Sequence, residues 1–288
     1  MKNNGDIVQF LKLKDYVMLD NALGSGSFGK TVLLKDPFID EIFVAKKYEP
    51  ALENDKKAFY KNFLDEIKIL HKLNHRNVVR IFNYYAYEDS YTGYIIMEHI
   101  DGVNIRTFVL DYFAPSETLS LDELFIQLID GFQYIEDNGI IHRDIREGNI
   151  LVDKTGVAKI IDFGIGKTFA KLDDNIDSLH GEINRANSDT LPQEHAGGIY
   201  TSKTDQFYFA ELYNRLMREA ENVDESDFSY HDILNKMMQK DPAERYASFS
   251  QVKNAIGKHD FSVMGISDED KDIYQEFSIL ECNNIRHN

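Results

Sequence analysis

The sequence predicts an α+β protein of bilobal form: a small antiparallel sheet with one helix, then a larger, mainly helical lobe. Three observations predict it. Short β-branched and apolar runs crowd the first hundred residues around a glycine-rich turn, one long amphipathic stretch interrupts them, and from about residue 103 apolar residues recur at helical spacing. At 288 residues and 43% hydrophobic, the chain can bury a substantial core in one two-lobed domain or in two small ones. The expected boundaries are a leader over 1–14, a first lobe over 15–98, a second over 99–257 and a tail over 258–288, helical from Lys271 to Leu280.

Tyr16-Val17-Met18-Leu19 reads as a strand running into Gly24-Ser25-Gly26-Ser27-Phe28-Gly29-Lys30-Thr31. Glycines at 24, 26 and 29 let a backbone turn tightly and approach phosphate closely. Gly24 to Thr31 also satisfies the Walker A spacing, which opens a helix at its lysine. The β-branched, apolar Thr31-Val32-Leu33-Leu34, broken by Asp36-Pro37 and followed by the run Glu41–Tyr48, favours a hairpin instead. From about Glu53 to Asn74 the apolar stripe of Phe59, Phe63, Leu70 and Leu73 predicts a helix, and Glu66 lies inside that stripe. A carboxylate on the buried side of a helix requires a partner. Val78–Tyr87 and Tyr94–Met97 complete the sheet.

Residues 103–112 and 119–138 carry helical periodicity, the second ending at Asn138-Gly139, a C-terminal stop signal. It delivers the chain to His142-Arg143-Asp144-Ile145-Arg146-Glu147-Gly148-Asn149-Ile150-Leu151, and then to Ile160-Ile161-Asp162-Phe163-Gly164. An acid, an amide five residues later and a second acid suit the handling of metal-bound triphosphate. Asp144 can accept a hydroxyl proton, while Asn149 and Asp162 offer oxygen ligands to a hard cation.

The order and spacing of these pieces resemble the eukaryotic-type protein kinases. That resemblance implies ATP and magnesium (manganese as a substitute) as cofactors. It places Asp144 as the base, Asn149 and Asp162 as metal ligands, and Arg146 on the γ-phosphate. The nucleotide cover is Leu23, Gly24, Ser25, Gly26, Ser27, Phe28, Gly29 and Thr31. The family lysine stands two residues after an alanine, which maps to Lys47 with Ala45 on its face and Glu66 as its partner; Lys46 would point the other way. Met97, Glu98 and Ile100 match the stretch that meets adenine, and Leu151 its floor. Leu70, Ile81, His142 and Phe163 match a packed column. Asp205 matches an acid that braces the catalytic loop, and Leu191-Pro192-Gln193-Glu194 stands for Ala-Pro-Glu, with Glu194 expected to meet Arg245. The span between Asp205's helix and Arg245 is short for the family, consistent with a trimmed docking helix.

The implied activity is transfer of the γ-phosphoryl of ATP to a protein hydroxyl, serine or threonine in preference to tyrosine, with autophosphorylation. Arg146 stands where most serine/threonine kinases carry lysine, so the acceptor stays open. Arg143 implies control by an anion from the polar segment after Gly164, either phosphorylated Thr168, Ser178, Ser188 or Thr190, or one of Asp173, Asp174 and Asp177. Alternatives are a small-molecule phosphotransferase of related fold, a pseudokinase scaffold and a Walker-type NTPase.

A net charge of −17 argues against nucleic acid or an anionic membrane as partner. The single cysteine, Cys282, excludes an intrachain disulfide. No apolar run approaches a membrane span and no signal-peptide segment is visible, so a cytoplasmic location is expected. The protein substrate and oligomeric state are not legible.

Overall fold

The computed structural model describes residues 15–26, 29–48, 53–112, 119–163, 192–194 and 200–263. The leader, Ser27, Phe28, the segment 164–191 with its four candidate phosphoacceptors and three acids, and the stretch from 264 with Cys282 lie outside the described residues. Two compact units emerge, 1–74 with 79–101, and 75–78 with 102–288.

The first unit is a five-stranded antiparallel sheet in the order β1-β2-β3-β5-β4. Its strands are β1 (Val17–Gly26), β2 (Gly29–Asp36), β3 (Glu41–Tyr48), β4 (Ile81–Tyr87) and β5 (Thr92–Glu98). β1 and β2 pair antiparallel, with Gly26 opposite Gly29. The glycine-rich stretch is therefore the bend of a hairpin with a strand after it, and the Walker reading, which needs a helix there, fails. At the next turn the Asp36 carboxylate accepts the Phe38 N–H at 2.9 Å.

Helix α1 (Glu53–Leu70) covers one face of this sheet. Its Tyr60, Phe63, Ile67 and Leu70 are buried, and the Phe63 ring stacks on Tyr48 with centroids 4.9 Å apart. Gly93 lies opposite Tyr48. A Cβ there would meet the Phe63 ring at 2.5 Å, so the close seat of α1 requires glycine. On the other face Phe43, Ala45 and Ile96 form a small core, flanked by Tyr16, Val32, Leu34, Tyr85 and Tyr94. These two faces fix which way each β3 side chain points.

After residues 75–78 the second unit continues with strand β6 (Gly102–Asn104), where the sequence predicts helix from 103. It pairs with β7 (Ile150–Asp153), which pairs with β8 (Ala158–Ile160). One helical turn, α2 (Ile105–Thr107), follows, capped by Asn104 and running into a π-helical turn over Phe108–Tyr112. Gly102 explains the strand: a Cβ would lie 2.0 Å from Val152 O, so the backbones approach as only glycine allows.

Helix α3 (Leu121–Asp137) starts at a Ser120–Glu123 capping box and stops at Asn138, with Gly139 at φ 71°. It packs on α6 (Phe249–Val263) and, through Phe125 and Phe209, on α4 (Ser202–Glu219), while α5 (His231–Met237) packs on α4 and α6. α6 therefore crosses the boundary expected at 258. Between α4 and Arg245 the chain holds only a 3-10 turn and α5, the short span that the sequence suggests. The core is aromatic: Phe125 meets Phe209, Tyr213, Phe228 and Tyr230 within 5.9 Å, and Phe132 meets Phe209 and Phe249.

Residues 75–78 fall in the second unit, although the sequence assigns them to the first. The reason is Asn77, buried and bonded through Nδ2 to Gln127 Oε1 and Ala158 O, both at 2.9 Å. Its carbonyl accepts the Ile160 N–H, and Val78 bridges Ile160 in parallel. A buried backbone must be satisfied, and here β8 satisfies it.

Candidate active site

The catalytic loop is fixed from below. Its His142 lies against Phe132 at 6.2 Å and against Phe163 at 4.8 Å, so the aromatic core continues to both motif stretches. His142 Nε2 is 3.0 Å from Ile161 O. Asp205, in the first turn of α4, accepts the His142 N–H at 2.7 Å and the Arg143 N–H at 3.0 Å. The bracing acid thus stands where the sequence expects it. Burial pushes its carboxyl up to about 7, while the two backbone bonds and Arg143 pull the other way.

Arg143 and Asp162 both take left-handed backbone, at φ 67° and 58°. Non-glycine residues avoid that region, and such strain persists only where surrounding bonds over-determine it. For Arg143 the Asp205 carboxylate is that constraint. The pair marks the two bends that bring Asp144 and Asp162 to either side of Asn149.

Asn149 holds the arrangement together. Its Nδ2 donates to Asp144 O at 2.8 Å, to Asp144 Oδ2 at 3.1 Å and to Asp162 O at 3.4 Å. All three partners are acceptors, which fixes the amide orientation and leaves Oδ1 outside these bonds. Asn149 O accepts the Ile161 N–H, tying the catalytic loop to the strand before Asp162. The Asp144 side chain is 13% exposed, and Arg146 Nε lies 3.4 Å from its Oδ2. Leu151 faces its strand neighbours Asn104 and Lys159 in register.

Among the described residues no three His, Cys, Asp or Glu side chains gather closely enough to hold a metal by themselves. The donor set present is a carboxylate and an amide oxygen, hard ligands that fit magnesium when phosphate oxygens supply the rest. The residues present fit the group.

In the first unit the structure gives the Glu66 ion pair to Lys46, with Nζ 3.6 Å from Oε1, in place of the expected Lys47. Alternation explains it. Tyr48 faces α1, so Lys46 and Val44 face α1 as well, while Ala45 joins Phe43 in the opposite core and Lys47 follows that side. Val44 lies opposite Met97 and Lys46 opposite Ile95, which puts Met97 on the Lys46 face. Ala45 is wholly buried, and Thr31, opposite Lys46, shares its face. Leu23, Gly24, Ser25 and Gly26 lie within β1, and Gly29 opens β2. Glu98 donates its N–H to Arg80 O, and its carboxylate accepts the Arg80 N–H. Ile100 follows β5 without regular structure.

Behind the catalytic loop, Arg245 meets Glu194 as the sequence predicts. Nη1 reaches Glu194 Oε1 at 2.6 Å and Nη2 reaches Oε2 at 3.1 Å. The remaining N–H groups go to the carbonyls of Gln239, Lys203 and Lys240. A guanidinium has five such donors, and all are used. Arg245 and the Thr204 hydroxyl hold the Glu194 carboxyl below its ordinary range against the effect of burial.

Residues 17–186 match the family described as protein kinase domain, more than half of the chain. The chain belongs to the protein kinase family. This kinase chain is 27% identical over 274 residues to serine/threonine-protein kinase stk11 of Xenopus laevis, covering 84% of the chain and 60% of that protein. It is 26% identical over 275 residues to megakaryocyte-associated tyrosine-protein kinase of Mus musculus, covering 88% and 50%. The chain spans 60% or less of the length of these and the other curated relatives compared. Its fold matches the crystal structure of the Mycobacterium tuberculosis PknI kinase domain at a TM-score of 0.58 and 19% identity, over 88% of the chain and 99% of that domain. At that identity the likeness shows the fold alone.

Sequence reasoning missed Lys46 and the clamp at Asn77. The adjacent lysines differ only in the face they take, and that face follows from where α1 sits. Asn77 carries no pattern of its own.

Proposed function

We propose that this chain is an ATP-dependent protein kinase that phosphorylates serine or threonine hydroxyls, itself included. The observation that carries the reading is Asn149, whose amide bonds both Asp144 and the Asp162 backbone. One side chain thereby sets the distance between a buried acid and a cation ligand, as phosphoryl transfer requires. The acceptor oxygen attacks the γ-phosphorus, the bond from that phosphorus to the β–γ bridging oxygen breaks, and ADP leaves. Asp144 takes the acceptor's proton. Asn149 Oδ1 and Asp162 would hold magnesium, which would neutralise charge on the phosphates.

Arg146, beside Asp144, balances charge at the γ-phosphate; its guanidinium is permanently ionised. Lys46, paired with Glu66, takes the role of phosphate lysine that the sequence alone gives to Lys47. In the first unit the glycine-rich stretch, Thr31, Val44, Met97, Glu98 and Ile100 serve the nucleotide, and in the second Leu151 serves the base. Relatives of both acceptor classes support the phosphotransfer reading, and the stretch before Pro192, which lacks the tyrosine-kinase pattern, favours serine and threonine.

No described helix is long and apolar enough to cross a membrane, in keeping with the proposed cytoplasmic location. The test is incubation with labelled ATP, magnesium and casein, followed by phosphosite mapping. Transfer to casein and to the chain's own serines or threonines is expected, and Asp162→Asn or Asp144→Asn should lower it by roughly a thousandfold. Transfer to small amino sugars but to no protein would replace this reading with the small-molecule one.

A further inference from the structure

Glu147 opens the 3-10 turn Glu147–Asn149 that presents Asn149. The turn's own bonds are few: Asn149 N to Arg146 O at 3.0 Å, and Ile150 N to Glu147 O. Bonds of this kind have poor geometry, so the turn depends on its surroundings for a fixed position.

Two arginines from separate helices supply the hold. Arg215 Nη1, on α4, lies 2.9 Å from Glu147 Oε1, and Arg106 Nη1, on α2, lies 3.5 Å from the same oxygen. Glu219 closes the circuit. It is bonded to Arg106 Nη1, and its Oε1 is 4.0 Å from Arg215 Nη1. With side chains 28–41% exposed, a single such pair would contribute little. A ring of alternating charge drawn from three elements differs, because each arginine stays between two carboxylates. None of the four is needed for the chemistry assigned above.

We propose that Glu147, clamped by Arg106 and Arg215, is a positioning residue. The ring sets the turn from which Asn149 reaches Asp144 and offers Oδ1 to the cation. This rests on the phosphotransfer reading. In the full chain, Glu147→Gln removes the charge that both arginines share while keeping the side chain's size. The casein turnover number should fall about tenfold, the effect of losing an outer partner of a metal ligand. The magnesium concentration for half-maximal rate should rise several-fold, with the casein KM unchanged. Arg106→Gln with Arg215→Gln should reproduce the loss, and adding Glu147→Gln should cost nothing more.

An unchanged magnesium requirement, or a change in casein KM alone, overturns the proposal; the latter would make the ring a peptide-docking surface. Amide hydrogen exchange at Asn149 and Ile150, measured without nucleotide, reads the turn directly. It should quicken by roughly fivefold or more in Glu147→Gln, and equal rates overturn the proposal. Should the unsubstituted chain transfer phosphate to no acceptor, the phosphotransfer reading falls and exchange alone decides the ring. If Glu147→Gln does not fold, Arg215→Gln carries the same measurements.

Discussion

Arg245–Glu194 and Lys46–Glu66 join the same two charges in opposite settings. The first is a bidentate pair whose arginine side chain is 0% exposed and whose every N–H is spent. In the second, Lys46 Nζ lies 3.6 Å from Glu66 Oε1, longer than a hydrogen bond, with side chains 24% and 13% exposed. A guanidinium locked among three carbonyls and a carboxylate is an anchor, because any movement strands buried donors. An ammonium that meets its carboxylate at this longer distance can exchange it for phosphate with less disruption than a locked guanidinium. The difference separates the charge that holds the fold from the charge offered to a substrate.

The largest expected effect tests the anchor. Arg245→Ala removes the guanidinium donors from Glu194 and three carbonyls, and should cost about 3–5 kcal/mol of unfolding free energy in urea. A loss below about 1 kcal/mol would mean that the bidentate geometry carries no special weight. On the other side of the comparison, Lys46→Met should lower kcat/KM for phosphotransfer by about a hundredfold or more. It takes one cation from Glu66, whose side chain is 13% exposed, and should cost about 1–3 kcal/mol of stability, less than the anchor, while Lys47→Met should alter the rate only a few-fold. The reverse order of the two lysines would return the phosphate role to Lys47.

Asp205 sharpens the comparison, being buried like Arg245 but carrying its charge at a cost. Its carboxyl is raised from an ordinary 3.8 to about 7. As pH climbs, the unfolded chain therefore loses this proton first. The contribution to stability is whole below about pH 4 and is lost between about 4 and 7, by at most about 1.4 kcal/mol per pH unit. Measured against Asp205→Asn, whose amide does not titrate, the unfolding free energy should fall across that window. A rise there would mean that the two backbone donors outweigh burial. The smallest effect belongs to Lys35–Asp40, where Asp40 is 84% exposed: Asp40→Asn should stay within about 0.5 kcal/mol.

The sequence was readable where chemistry demands particular residues at particular intervals. Asp144, Asn149 and Asp162 sit on the loop and strand end expected of them, Asp205 reaches the catalytic-loop backbone, and Glu194 finds Arg245 across 51 positions. Gly139 ends α3 because only a left-handed residue closes it there. Reading failed where facing mattered more than spacing. The strand period of two separates Lys46 from Lys47 but does not say which of them meets α1; the Tyr48–Phe63 stack and Gly93 decide it. Val103 and Asn104 read as the start of a helix because their pairing with β7 lies almost fifty residues away. Asn77 shows no periodicity, and its allegiance to the second unit follows from bonds to Gln127 and Ala158.

Asn149 leaves this loop little freedom to vary. Its amide nitrogen looks onto three oxygens at 2.8, 3.1 and 3.4 Å. Aspartate, a stronger ligand for a divalent ion in isolation, would bring a second anion against Asp144 and turn each of those attractions into a repulsion. Alanine would remove this donor from all three, and serine, which is shorter, carries one O–H in place of the amide's two N–H. The position is closed to substitution by its neighbours, even before any nucleotide arrives.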